Sequence, residues 1–378
     1  MNAPRRGADN SSSRVCERSQ NKQTRAKLST WGAQYSVRMI ARRLHTARAT
    51  INDVAKVAGV SRGTVSRVLN SEAYVSDAAK KAVEDAIEQV GYVRNTAARN
   101  LVTRQSHAIG LIVHEPHSLF LEDPNIGSIL LGTNSVLSDA DYQLVSLVID
   151  SDRDSTRVAE YLTGGFVDGV IIVSARAHDP IAKIVSQIGI PAAFVGHPVD
   201  IEGIPYVGID NRAAATAITT RLMQTGRTTI GMIAAGLDRD SGQDRVAGFA
   251  AALGDAYDPS LVVQQPFYAH ASGLEGTREL LRRAPHVDGI FAASDAIAAG
   301  VLDALREAGR SVPGDVGVVG FDDSAWATRS QPPLSTVHQP AGQLGRRAAE
   351  SVLAQIRGEA VDSAGTFLDT HIVWRDSA

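Results

Sequence analysis

Apolar residues repeat at helical spacing in three short stretches between Thr50 and Gly91, and as short continuous runs after His107. In the first stretch Ile51, Val54, Ala55 and Ala58 fall on one face, the signature of an amphipathic helix. Thr50 is placed to cap it and Asp53 puts an anion in its first turn. Gly59 stops it, and Val60 packs in the turn. Ser61 caps a second helix running to about Leu69, with Val65 and Val68 inward. Ser76 caps a third, with Asp77 in its first turn. Ala79, Val83, Ala86, Ile87 and Val90 form its stripe, and Gly91 ends it.

From His107 the pattern changes. The predicted strands are AIGLIV (108–113), QLVSLVI (143–149), DGVIIV (168–173), AAFVG (192–196), YVGID (206–210), TIGMIA (229–234), DGIFAA (288–293) and VGVVGF (316–321). Helical patterns separate most of them, as in Thr156–Leu162, Asn211–Gln224, Asp244–Leu253 and Asp295–Ala308. Buried strands alternating with helices predict parallel sheets in an α/β architecture. The fold class is therefore an all-α headpiece followed by a body of two doubly wound parallel-sheet lobes. Residues 107–206 and 207–338 form the two halves. Helix Gly342–Arg357, within 339–365, belongs to the first lobe, and the final strand, Thr366–Trp374, within 366–378, returns to the second.

A helix, a tight turn containing glycine and a second helix make the helix-turn-helix plan. Its second helix presents N-terminal residues to base edges in the major groove. Those are Arg62, Gly63, Thr64 and Ser66. Arginine can bond guanine bidentately, whereas Gly63 reads no base by side chain and leaves that position read loosely or by close backbone approach. Arg67 and Asn70 are assigned to phosphate contact or headpiece structure. The charge distribution agrees. The 378-residue chain has a net charge of −3, but residues 1–106 carry +11 and residues 107–378 carry −14. A basic head on an acidic body points to a polyanion partner for the head.

The stretch 50–102 resembles the DNA-binding headpiece of the lactose-repressor/galactose-repressor family. The matching motifs are IxDVAxxAGVS, TVSRVLN, VSxxxxxxVxxAIxxxGY and NxxARxL. The body resembles the same family, whose effector domain is similar to periplasmic sugar-binding proteins. Its matches are GIPAAFVG, the VGIDN run, GRTTIGMI, DRVAGF, FAASDAIAAGVLDAL and VPGDVGVVGFDDS followed by QPPLSTVHQP. The resemblance implies a dimeric, sequence-specific regulator of carbohydrate genes. It would bind a near-palindromic operator, with a mono- or disaccharide effector and no cofactor. Thr50, Ser61 and Tyr74 join the DNA-contacting set. In residues 95–106 it implies a hinge helix, with Asn95, Arg99 and Leu101 at the minor groove. A proline often precedes that asparagine in the family, and here Arg94 stands in its place. An isolated helix of this length is marginal in water, so it would fold when paired with its dimer mate on DNA. An effector that separates the hinges would lower affinity; a corepressor would act in reverse, and the residues leave that sign open.

In open α/β sheets, ligands bind outside the carboxyl ends of strands. There the second lobe places Arg245, Asp295, Asp322 and Asp323, and the first places Glu115, Phe120, Asp123, Ser174 and His197. Fixed charged groups of this kind bond vicinal sugar hydroxyls. Phe267, Tyr268 and Trp326 offer flat faces for a pyranose. Asp295 reads also as a helix cap, Asp323 as a loop cap and Trp326 as packing. Many relatives carry an aromatic after the Q-P motif, where this chain has Ala341, which leaves room for a disaccharide.

Other classes fit poorly. Gly59-Val60-Ser61-Arg62-Gly63 matches G-x-S-x-G, but a nucleophile elbow needs a strand before the serine, and here a helix precedes it. No P-loop, HExxH or dinucleotide fingerprint occurs. The lone Cys16 excludes an intrachain disulfide and a cysteine-based metal site, which suits a reducing cytosol. With the family resemblance, the expected location is the bacterial cytoplasm, at the nucleoid. No apolar run reaches membrane-spanning length, nor is there an apolar export segment. Residues 1–48 hold 11 Lys/Arg against 2 Asp/Glu. They read as a disordered basic extension or as untranslated sequence before a start at Met39. The headpiece then spans 49–94, the hinge and linker 95–106 and the body 107–378.

Overall fold

The computed structural model describes residues 49–70, 74–93, 105–177, 180–197, 203–362 and 365–378. The chain forms two compact units, divided near Thr96.

The first unit is helical: Ile51–Ala58, Arg62–Leu69 and Asp77–Val90. Ser61 and Ser76 each accept a helix amide, from Thr64 at 3.1 Å and Ala79 at 3.3 Å. At Thr50 the Asp53 carboxylate accepts both the backbone N–H, at 2.8 Å, and the hydroxyl, at 2.7 Å. Thr50 and Asp53 thus cap the helix together, as a capping box. Gly59 and Gly91 end their helices in the left-handed conformation at φ 66° and 63°, which glycine adopts without steric cost. Val54, Val65, Val83 and Ala86 are the buried centre.

The second unit contains two parallel sheets. The first has the order β11-β5-β4-β3-β1-β2. Its strands are β1 (Ala108–Val113), β2 (Gln143–Val148), β3 (Gly169–Val173), β4 (Ala192–Val195), β5 (Tyr206–Ile209) and β11 (Thr366–Leu368). The second has the order β7-β6-β8-β9. It is built from β6 (Ile230–Ala235), β7 (Val262–Gln265), β8 (Gly289–Ala292) and β9 (Gly317–Val319). Strand order reverses at β1 in one sheet and at β6 in the other, and these switch points open a crevice at the carboxyl ends. β10 (Thr336–His338) and β12 (His371–Val373) form an antiparallel pair.

Two expectations about the lobes change. β5 pairs with β4, so the crossing falls between Ile209 and Asn211 rather than at 206. The run 366–374 is two strands. β11 pairs with β5 in the first lobe, and after Asp369 and Thr370 the chain turns to join β10. β7 and the helix Pro124–Asp139 were also absent from the sequence pattern. That helix packs on Ala341–Ile356 at glycine distance, because a Cβ on Gly132 would lie 2.0 Å from the Gly342 carbonyl oxygen. Beyond β12, Ser377 is buried against β9. Its hydroxyl donates to the Val318 carbonyl at 2.6 Å, and its carbonyl accepts the Val318 amide at 2.7 Å.

Candidate functional site

The first unit presents one polar helix surface. Arg62, Gly63 and Arg67 on Arg62–Leu69 and Asn70 at its C-terminal cap are exposed, while Thr64 and Ser66 are half-buried. The Ser61 and Thr64 hydroxyls lie 3.0 Å apart, and Arg67 Nε donates to the Gly63 carbonyl at 3.3 Å. Arg67 is thus tied to its own helix and Arg62 is the forward cation. A Cβ on Gly63 would meet only side-chain atoms, 3.7 and 3.8 Å away, so the backbone there is bare by composition and not by crowding. Tyr74 is 92% exposed. Asn95, Arg99 and Leu101 lie outside the described residues.

The second unit holds the crevice between its lobes. Eight of the residues expected there do line it: Glu115, Asp123, Ser174, His197, Arg245, Tyr268, Asp322 and Trp326. Each follows the carboxyl end of a strand, in the loop or on a helix beyond it. Ser174 and Asp322 hold left-handed backbones at φ 58° and 113°, a strained state that persists where the surroundings enforce it. Arg245 is buried and fixed on all sides. Its Nε donates to Asn211 Oδ1 at 3.0 Å and its Nη1 to the Ala293 carbonyl at 2.5 Å. Asp322 lies 3.7 Å away, and the Phe321 ring stacks 3.7 Å from the guanidinium carbon.

Four expected residues are elsewhere. Phe120 packs against the lobe core. Phe267 is exposed and turns away where its neighbour Tyr268 turns in. The Asp295 carboxylate is wholly buried and braces the loop after β9. It accepts the Ser324 amide at 2.7 Å and the Thr336 hydroxyl at 2.6 Å. Ser294, not Asp295, caps that helix. Asp323 also serves structure, accepting from Arg375 at 2.6 Å and lying 3.0 Å from His338 Nδ1. Ala341 begins a helix and is buried; Gln339 faces the crevice in that segment.

The tripeptide Asp238-Arg239-Asp240 escaped the sequence analysis. All three residues come from the second lobe and all reach the first. Asp238 pairs with Arg176 at 3.3 Å, and its carbonyl accepts the Ala177 amide at 2.7 Å. Arg239 pairs with Glu115, both side chains being buried. Asp240 accepts the His197 amide at 2.5 Å. The segment read as a loop before a helix at Asp244, whereas the helix starts at Asp240. That earlier start brings the three charges to the crevice rim.

The electrostatics follow from burial. Desolvation pushes Asp123 up to about 6, against an amide bond from Asn125. It raises Asp240 and holds Asp322 well above the usual carboxylate range, with Arg245 opposing and Asp295 and Asp123 adding. Burial opposes the charge on Arg239, and the Glu115 carboxylate more than offsets it. The crevice therefore contains fixed acceptors and donors with more carboxylates than guanidiniums.

Two family models match the chain: bacterial regulatory proteins of the lacI family over residues 50–95, and a periplasmic binding protein-like domain over residues 219–378. The chain is similar to the HTH-type transcriptional regulator CelR of Thermobifida fusca, 40% identical over 335 residues, 87% of this chain and 98% of that protein. It is 30% identical to the ribose operon repressor of Escherichia coli K12, over 82% of this chain and 93% of the repressor. Among solved structures, a CelR–cellobiose complex superposes with a TM-score of 0.70 at 38% identity, covering 88% of this chain and 100% of that one. A lac repressor dimer bound to operator and the anti-inducer ONPF gives 0.78 at 25% identity, covering 88% and 99%.

Proposed function

The chain belongs to the lacI family of bacterial regulatory proteins and is a DNA-binding transcriptional regulator; from that premise we propose a dimeric repressor of carbohydrate-utilisation genes, working in the cytoplasm at the nucleoid. A neutral sugar held between the body lobes changes its operator affinity. Arg62 reads a base edge, Gly63, Thr64 and Ser66 stand beside it, and Thr50, Ser61, Arg67, Asn70 and Tyr74 approach the backbone. Leu101 serves as an apolar wedge between base steps of the operator.

The observation that carries the effector reading is the run Asp238-Arg239-Asp240, which ties one lobe to the other across the crevice. A ligand bonded by residues of both lobes competes with or reinforces these ties. It therefore has different affinity for different lobe orientations, which is what shifts a population. The crevice is narrow, about 130 Å³, against roughly 300–1,000 Å³ for ligand pockets in general. Admission of a sugar requires the lobes to part. Glu115, Asp123, Asp240 and Asp322 outnumber Arg239 and Arg245, so the walls favour hydroxyl donors over sugar acids and phosphates. The name of the CelR–cellobiose complex supports the same class.

The test is a selection of binding sites from random DNA, then a gel shift of the winning site with neutral mono- and disaccharides, sugar phosphates and sugar acids. The expected result is an enriched palindrome released by a neutral sugar. Release by a sugar phosphate alone overturns the ligand class, and strengthening by a sugar reverses the sign of control. Absence of an enriched site overturns the operator reading.

A further inference from the structure

Beside the crevice lies a second recess of about 580 Å³, inside the roughly 300–1,000 Å³ usual for ligand pockets. Pro124 and Trp326 belong to the walls of both, so the half-buried indole stands at the boundary. On the far side His270 lies 6.1 Å from the indole at 26° to its plane. Its Nε2 is 2.8 Å from one oxygen of Asp303. Arg306 donates to the other Asp303 oxygen at 2.5 Å and to the Gln331 carbonyl at 3.4 Å. Three planar polar groups are thereby held in fixed orientation next to an aromatic face. Glu122 and Arg329 complete the rim.

We infer that this recess is a second carbohydrate subsite, taking the further glycosyl units of an oligosaccharide whose end occupies the crevice. Trp326 is the shared stacking face. The inference rests on the carbohydrate reading above and extends it from one or two units to a chain. An aromatic body supplies apolar contact for the C–H face of a pyranose. Charged planar groups supply the bidentate bonds that vicinal hydroxyls accept and donate. Glu122 and Asp303 offset Arg306 and Arg329 in formal charge, which suits a neutral saccharide and not an anion. Asp303 and Arg306 sit three residues apart on Asp295–Glu307, so one helix fixes both.

The experiment is calorimetric titration of the full chain with cellobiose, cellotriose, maltose and maltotriose, repeated on Arg306→Ala and Trp326→Ala. In the series that binds, the trisaccharide should bind at least ~tenfold more tightly than the disaccharide, about 1.4 kcal/mol. Arg306→Ala should abolish that advantage and leave the disaccharide affinity in place. Trp326→Ala should weaken both. Equal affinities for two and three units, or a trisaccharide advantage untouched by Arg306→Ala, overturn the subsite and leave the crevice reading standing. Binding of no saccharide overturns the carbohydrate reading, and the subsite with it.

Discussion

The two units of the chain hold their candidate functional side chains in opposite ways. The headpiece exposes them on one short helix whose buried support is four small residues, Val54, Val65, Val83 and Ala86. The body buries them, and gathers them from loops as far apart in sequence as Glu115 and Asp322. An exposed reader acts on its partner directly, so removing it changes recognition and little else. A buried charge is also a structural member, so removing it disturbs the scaffold that holds the rest.

Substitution of the buried cation should have the largest effect. Arg245→Ala leaves Asp322 and the Ala293 carbonyl without their partner, and breaking a buried pair costs about 3–5 kcal/mol. The body's calorimetric transition should fall sharply while the headpiece transition stays in place. An unmoved body transition would erase the distinction drawn between the units.

Arg62→Ala is the counterpart. It should cost about 1–3 kcal/mol of discrimination at one base position and leave both thermal transitions where they are. Site selection with the variant measures this; an unchanged preference would move the reading role to another residue.

Acidity probes the buried side alone. Burial raises Asp295 to about 7 and Asp123 to about 6, from a usual 3.8. A carboxyl raised by folding gives stability that is fully present below its unfolded pKa and is lost as pH climbs through the folded value. The body's melting temperature should therefore decline between about pH 4 and about pH 7, and Asp295→Asn should flatten the upper part of that decline. The headpiece should show no such decline, because among its described residues the carboxyl that is shifted, Asp53, moves downward through its bonds to Thr50.

Gly63→Ala should give the smallest effect. The added methyl meets no atom closer than 3.7 Å, and alanine is preferred over glycine within a helix by up to ~1 kcal/mol. The headpiece transition should rise slightly. If operator affinity falls at the same time, the bare backbone is approached closely by DNA; if it holds, that half-site position is read loosely.

The headpiece was legible because its information is local. Caps, turn glycines and a repeat of three to four residues specify each helix from within its own segment. The body strands were legible as elements because parallel strands buried on both faces are continuous apolar runs. The gaps are equally physical. β7 reads VVQQ, half polar since it lies at a sheet edge. Tyr268 and Phe267 are adjacent and chemically alike, yet only the turn of the chain decides that Tyr268 faces the crevice.

The sequence by itself determined the family, the helix-turn-helix unit, the parallel α/β class and a crevice at the strand ends, because these follow from periodicity and short motifs. Only the tertiary structure decided which sheet each late strand joins. An apolar run carries no address, and a kink at Asp369 and Thr370 divides one such run between two lobes. Tertiary structure likewise made Asp295 a brace and Arg239 a tie between lobes. A carboxylate or guanidinium takes its role from the partners that distant segments bring within three ångströms, and no local pattern records them.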